Sequence, residues 1–191
     1  MELRISIVGR TPLVMHNPQL ADPLNPIAQQ IGALAKKQKK TEADYAEMAR
    51  LEWFGGLYHE PGLGIYVPTW NVHRSFERAG TITRQGTTVI RALAMLADKV
   101  PVEYDGPKEP AKLWDRQEFR YMAAVGVQRN RVMRMRPIFR QWKLSLDVMM
   151  LEDVINLSDF TEIASLAGRA EGIGDARKLG NGRFDVEVTS A

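Results

Sequence analysis

The clearest chemical signal in the sequence is a run of basic residues in its last third. Positions 129 to 143 hold six cations and no acid: Arg129, Arg131, Arg134, Arg136, Arg140 and Lys143. The 191-residue chain has 26 basic and 23 acidic residues, which gives a net charge of +3. Without those six, 20 basic residues stand against 23 acidic ones, so the rest of the chain carries a net charge of −3. This asymmetry predicts an anionic partner that binds at one place.

The residue types in this run favour phosphate and nucleobase contacts. Five of the six cations are arginine, whose planar guanidinium suits phosphate oxygens and base faces better than a lysine ammonium does. Apolar and aromatic residues lie between them: Met133, Met135, Phe139 and Trp142. The alternative is that methionine and tryptophan belong to the core and that the arginines cover a solvated face.

A glycine-rich segment supplies a second candidate site. Residues 171 to 183 contain four glycines and three cations: Gly172, Gly174, Gly180, Gly182, Arg177, Lys178 and Arg183. Glycine permits positive φ and close backbone approach, and consecutive free amides form anion-binding concavities. The segment leads from a predicted helix to a strand, which excludes both a P-loop and a dinucleotide fingerprint. A plain helix-to-strand connection with a capping glycine is the alternative.

Two further basic groups lie on predicted helices. Lys36 and Lys37, with Lys39 and Lys40, end the first helix, where they either contact the ligand or complement the helix dipole. Farther along, the spacing places Trp70, His73, Arg74 and Arg78 on one helical face. This face either touches nucleic acid or belongs to an amphipathic helix that buries its tryptophan.

Several function classes find no support in the composition. The chain has no cysteine, which excludes disulfides, zinc ribbons and thiol nucleophiles and fits a reducing cytoplasm. The three histidines are widely spaced, so we expect neither a metal site nor another cofactor. Apolar runs are shorter than the roughly 18 residues of a membrane helix, and the N-terminal segment is typical of a strand rather than a signal peptide. We therefore expect a cytoplasmic protein that does not bind membranes.

The elements that would position these residues follow from hydrophobic periodicity. Residues 2–8 alternate as a half-buried strand, and helices are predicted at 27–39, after Thr41, at 70–79 and at 87–97. Strands are predicted at 121–128, 138–149 and from Phe184, with a helix that begins at Ser158 or Asp159. These elements predict an α+β fold: a ferredoxin-like (RRM-like) β-α-β-β-α-β core at 1–9 and 119–191. Residues 10–118 form a large, mostly helical insertion after the first strand, packed on that core.

Two motifs stand out beside the element order: the loop from Gly9 to Leu13 after the first strand and the glycine-rich segment from Gly172 to Phe184. Together they resemble the RAMP superfamily of CRISPR-associated RNA-binding proteins. The large insertion resembles the helical-backbone subunit of CRISPR effector complexes, and similar proteins are also encoded by phages. The resemblance implies a protein that polymerises along single-stranded nucleic acid and holds its phosphates with the glycine loop and a hairpin. Cleaving relatives use a histidine or aspartate in the loop after the first strand, where His16 and Asp22 lie outside any recognisable motif.

We therefore expect a non-catalytic protein that binds single-stranded DNA or RNA and assembles side by side with its own copies into a filament. Two alternatives stay open. One is an assembly or regulatory protein whose basic hairpin docks on an acidic protein partner, and the other is a RAMP-type ribonuclease that uses His16 or Asp22.

Overall fold

A computed structural model describes residues 1–127 and 130–191, and at positions 125, 127, 130 and 131 it describes the backbone alone. The strands and helices in these ranges are β1 (Glu2–Gly9), β2 (Leu13–Val14), α1 (Pro26–Ala35), α2 (Glu42–Gly56), β3 (His59–Glu60), β4 (Gly64–Pro68), α3 (Thr69–Ile82), α4 (Gly86–Ala92), β5 (Leu93–Met95), β6 (Lys99–Pro101), α5 (Pro110–Asp115), β7 (Arg120–Val127), β8 (Asn130–Phe139), β9 (Lys143–Met150), α6 (Leu157–Leu166) and β10 (Phe184–Ser190). Helices and antiparallel strands are mixed, which confirms the α+β class. Within the described residues, every helix is too short or too polar to cross a membrane.

The chain divides into two compact units. The first contains Met1–Leu13, Glu60–Asp105 and Arg140–Ala191, and the second contains Val14–His59 and Gly106–Phe139. The sequence placed 1–9 and 119–191 in one domain and 10–118 in another. In the structure, residues 60–105 cluster with β1, and β5 from that stretch pairs with β9. The domain division read from the sequence stays a prediction.

A four-stranded sheet in the order β10, β1, β9, β5 forms the centre of the first unit. β1 lies antiparallel between its neighbours, with Ile5 opposite both Val188 and Leu146. The alternation in residues 2–8 holds, because Leu3 and Ile5 are fully buried. α3 and α6 both contribute to the core, where the rings of Phe76 and Phe160 meet edge to face at 5.5 Å. This packing places α3 and the segment that follows α6 in the same unit.

The second unit contains the hairpin β7–β8 together with α1, α2 and α5. The hairpin register runs from Arg120 opposite Pro137 to Val127 opposite Asn130, and β2, β8 and β7 form a sheet in that order. Trp53 of α2 is fully buried, and its indole Nε1 donates to the carbonyl of Phe119 at 2.8 Å. α2 is therefore anchored to the chain just before the hairpin.

The predicted strand 138–149 is wrong as one continuous element. β8 ends at Phe139, and β9 begins at Lys143 in the other sheet. The break follows from Trp142, whose indole Nε1 donates to the carbonyl of Thr11 at 2.9 Å. The same ring fills the space beside Gly9, where a Cβ would lie 2.2 Å from Nε1. The buried indole therefore packs beside β1 and the loop that follows it, and the predicted strand is interrupted before it.

Candidate functional site

The glycine-rich segment folds back on itself after α6. Gly172 and Gly182 both have positive φ, at +69° and +73°. A Cβ on Gly182 would lie 1.9 Å from the carbonyl oxygen of Ile173. The Ile173 amide donates to the Gly182 carbonyl at 3.0 Å, which holds the two limbs of the loop together. Glycine is therefore required at these positions by the backbone itself.

The two motifs that carry the sequence resemblance contact each other directly. Thr11, in the loop after β1, donates its hydroxyl to the Gly180 carbonyl at 2.8 Å and accepts from the Arg183 amide at 2.8 Å. The Gly182 amide donates to the Pro12 carbonyl, also at 2.8 Å. The loop after β1 thus fixes the end of the glycine-rich segment.

A cleft of about 530 Å³ opens beside this segment. Four cations and two carboxylates line it: Arg78, Arg177, Lys178, Arg183, Glu171 and Asp175. Three of the cations come from the glycine-rich segment, and Arg78 comes from α3. The sequence predicted the helix face on which Arg78 lies. It did not indicate that this face lies beside the glycine loop, because tertiary packing brings the two together. The cleft is net positive, as an anion site requires.

The acids of the cleft offset only part of the repulsion between its guanidinium groups. Burial lowers the pKa of Arg177, and repulsion from the Arg78 and Arg183 charges lowers it further, while Glu171, 4.0 Å away, acts in the opposite direction. Arg183 donates from Nη2 to the Arg177 carbonyl at 3.4 Å. Its buried Nη1 meets no hydrogen-bond acceptor among the described residues. A bound anion would relieve the repulsion around Arg177.

In the hairpin, the structure turns two of the predicted ligand-binding arginines toward the protein. Arg134 donates from Nη1 to the carboxylate of Glu52, which is only 5% exposed. The same carboxylate accepts the Met135 amide at 2.9 Å. Arg136 is 7% exposed and donates from Nη1 to the Met135 carbonyl at 3.2 Å. Sequence reasoning missed Glu52, because an acid within an ordinary helical stretch carries no sign of its distant partner.

The other members of the basic run differ in their surroundings. Arg140 and Lys143 are exposed in the first unit. Arg131 lies in β8 with its backbone opposite Gly126, and Arg129 falls outside the described residues. Phe139 and Trp142 belong to the core, as the alternative interpretation held, whereas Met133 is 57% exposed. Among the described residues of this run, Met133 is therefore the apolar side chain that solvent reaches most.

The remaining predicted contacts lie on helices. Lys36 is exposed at the end of α1, and Lys37 places its Nζ 2.6 Å from Asp44. The Lys37 ammonium, with the Thr41 amide, lowers the pKa of Asp44 to about 2. Arg74 is exposed and pairs with Glu77 at 2.6 Å. Lys37 thus supports the start of α2, while Lys36 faces solvent.

The residues considered for catalysis do not converge on a built site. His16 is exposed, and the Asp22 carboxylate accepts the Leu24 amide at 2.9 Å, as a turn-forming aspartate does. Within residues 1–127 and 130–191, no group of three or more histidine and acidic side chains is placed to hold a metal ion.

No family model matches the sequence, and no curated protein matches it either. Solved structures do match the fold. One is a chain of a type III-B Cmr-beta complex bound to cognate target RNA, determined by cryo-EM, with a TM-score of 0.56 and 9% identity over 99% of this chain. Another belongs to a type IV-B CRISPR complex, with a TM-score of 0.51 and 9% identity over all of this chain and 91% of that one. This chain spans 60% of the length of the Cmr-beta chain. These matches confirm that the fold is related to that of CRISPR complex subunits.

Proposed function

We propose that this chain is a non-catalytic member of the RAMP superfamily that binds single-stranded nucleic acid. The observation that carries the proposal is the cleft beside the glycine loop, where three guanidinium groups and one lysine gather with only two carboxylates. A phosphodiester is the anion that best fits forked guanidinium donors. The shared fold adds support, because one structure with that fold is bound to target RNA.

The strand order supports the finer fold assignment within this proposal. The first unit has the sheet order β10, β1, β9, β5, with α3 and α4 before β5 and α6 before β10. This is the order of a ferredoxin-like core whose second strand is β5 rather than the predicted 121–128. β7 and β8 then form a hairpin inserted between the second and third strands of that core.

The contacts divide between binding and positioning. We assign Arg177, Lys178 and Arg183 to the phosphates and add Arg78. Gly172, Gly174, Gly180 and Gly182 shape the loop that carries them. The exposed residues Arg140, Lys143, Lys36 and Arg74 remain proposed contacts, as do Arg131 in β8 and Arg129, which lies outside the described residues. Arg134 and Arg136 instead hold the hairpin in place, because both bond to the protein.

Side-by-side assembly into a filament is part of the same proposal. Its support is the likeness to chains of large CRISPR complexes, in one of which RNA is bound. Electron microscopy of the protein with long single-stranded DNA and with RNA tests the assembly and the choice of ligand together. Regular filaments on one polymer are the expected outcome, and isolated particles on both would contradict assembly. A phage-encoded origin stays a prediction.

Fluorescence anisotropy with labelled single-stranded DNA and RNA tests the site. Arg78→Gln and Lys178→Gln remove exposed cations of the cleft, and Arg91→Gln removes an exposed cation that lies outside it. Each cleft variant should weaken binding about fivefold at low salt and reduce the slope of log K against log salt by about 1. The Arg91 variant should show less than half of this effect.

Unchanged affinity in both cleft variants would refute the site. Wild-type protein that binds no strand would favour the acidic-partner alternative. Cleavage products that disappear on His16→Ala or Asp22→Asn substitution would favour the ribonuclease alternative. We expect the wild-type protein to bind the strand without cleaving it, so the labelled strand should stay intact during long incubation with divalent metal ions.

A further inference from the structure

Trp70 is an exposed tryptophan at the start of α3. Its side chain is 56% exposed, whereas Trp53 and Trp142 are buried. The sequence left open an amphipathic helix that buries this residue, and that alternative is wrong. The buried face of α3 is formed by Val72, Phe76 and Ala79, and Trp70 lies on the opposite side. Tryptophan is enriched at interfaces, because its ring is apolar and its indole N–H is polar.

Trp70 lines a shallow cleft of about 520 Å³ together with residues of the chain between β5 and β6. Met95 and the half-exposed Leu96 supply apolar walls, and His73 and Asp98 supply polar ones. Thr69 fixes this arrangement, since its hydroxyl donates to the Ala97 carbonyl at 2.6 Å and its amide donates to the Asp98 carbonyl at 3.0 Å. The indole and the facing loop are thus held beside each other before any ligand arrives.

The charges along α3 indicate what enters this cleft. Arg74 and Arg78 follow Trp70 at intervals of four residues, about 6 Å and 12 Å farther along the helix axis. Both are exposed, and Arg78 also lines the cleft beside the glycine loop. A line of cations that begins at an aromatic ring is the pattern of surfaces that bind single strands, in which the ring stacks on a base and the cations follow the phosphates. Asp98 disfavours a phosphate at the cleft itself and leaves that place to a neutral base.

We propose that Trp70 stacks on an unpaired base of a single strand whose backbone passes Arg74 and Arg78 toward the glycine loop. The inference rests on the proposed function and extends it, because it adds a base-binding position to a site otherwise made of phosphate contacts. Duplexes keep their base faces stacked internally, so the same position selects against double strands.

The test compares two single strands of equal length, oligo-dT and an abasic deoxyribose-phosphate chain, with Trp70→Ala, Trp70→Phe and wild-type protein. Trp70→Ala should weaken oligo-dT binding about fivefold or more and leave abasic binding unchanged. Trp70→Phe should recover most of the loss, because a phenyl ring still stacks. Ile90→Ala, which removes another exposed apolar side chain of this unit outside the cleft, should change neither affinity. Oligo-dT should also quench the tryptophan emission of the wild type more than that of Trp70→Phe.

Equal losses on both strands, or no loss on either, would overturn the stacking while leaving phosphate binding intact. Loss of self-association in Trp70→Ala at unchanged affinity for oligo-dT would also overturn it, since the indole would then contact a second copy. Wild-type protein that binds neither of these strands nor single-stranded RNA would overturn the proposed function and this inference with it. Because Trp70 is exposed, its variants should unfold at the wild-type urea midpoint.

Discussion

Removal of the Glu52 carboxylate should destabilise the hairpin unit far more than removal of an exposed acid from the same helix. Glu52 is 5% exposed and accepts two hydrogen bonds, one from the Arg134 guanidinium and one from the Met135 amide. Glu52→Gln keeps an acceptor for the amide, but its NH2 group then faces the Arg134 guanidinium, so the charged bond is lost and two donors meet. A charged bond contributes about 1.5–3 kcal/mol, and the partly exposed Arg134 regains part of this from water, so we expect Glu52→Gln to cost about 1–2 kcal/mol.

Glu52→Ala removes both acceptors. The partly buried Met135 amide then loses its partner, at a cost of about 1–3 kcal/mol. The Arg134 side chain is 30% exposed and turns partly toward water, so its contribution is discounted to about 1 kcal/mol. The expected total is about 3 kcal/mol. Arg134→Ala should also destabilise the unit, because it takes the cation away from the buried Glu52 carboxylate.

Equilibrium unfolding in urea, followed by circular dichroism, measures these differences. Glu47 is the matched control, since it lies on the same helix, is 46% exposed and pairs with Arg50 at 3.1 Å. Glu47→Ala and Glu47→Gln should each change the free energy of unfolding by less than about 0.5 kcal/mol. The double variant Glu52→Ala/Arg134→Ala should show a coupling energy of at least about 0.5 kcal/mol. If Glu52→Ala costs no more than Glu47→Ala, the claim that Glu52 positions the hairpin is refuted.

Two further predictions concern the glycine loop and the start of α2. Gly182→Ala should destabilise the protein by more than about 3 kcal/mol in thermal unfolding, because the new Cβ meets a backbone carbonyl and φ is positive. The control is Gly62→Ala, where φ is +88° but the space around the new Cβ is open. This control should cost only about 1–2 kcal/mol. The pKa of Asp44 is about 2 in the folded protein against 3.8 as its ordinary value, so its stabilising contribution is complete above pH 3.8 and is lost as the pH falls toward 2. Asp44→Asn should therefore be less stable than the wild type at neutral pH. Urea titrations should show that the difference in free energy of unfolding between the two proteins shrinks between about pH 4 and pH 2. A difference that stays constant over this range would contradict the lowered pKa of Asp44.

Features set by local sequence were predictable. The alternation in residues 2–8 indicated β1, and Thr41 was expected to cap a helix, which it does in a reciprocal capping box with Asp44. The glycine-rich segment lies between α6 and β10, as expected. Each of these depends on residues a few positions apart, so periodicity and spacing suffice to find them.

Pairings between distant segments were not predictable. β5 has only three residues, and its place beside β9 depends on a register that its own sequence does not encode. Trp142 fits the alternation of β9, yet its indole bonds to the Thr11 carbonyl and ends the predicted continuous strand. A side chain that satisfies one local pattern while it serves a distant contact misleads any argument from periodicity alone.

The basic run and the basic cleft also differ in what their charges do for the fold. Arg134 and Arg136 have partners within the protein, so two cations of the run contribute to stability whether or not a ligand binds. At Arg177, burial and the charges of Arg78 and Arg183 lower the pKa, and Glu171 and Asp175 offset only part of this effect. A phosphate bound beside these guanidinium groups would offset the remaining repulsion. The cleft, which charge counting along the sequence could not distinguish from the run, is therefore the stronger candidate for the ligand.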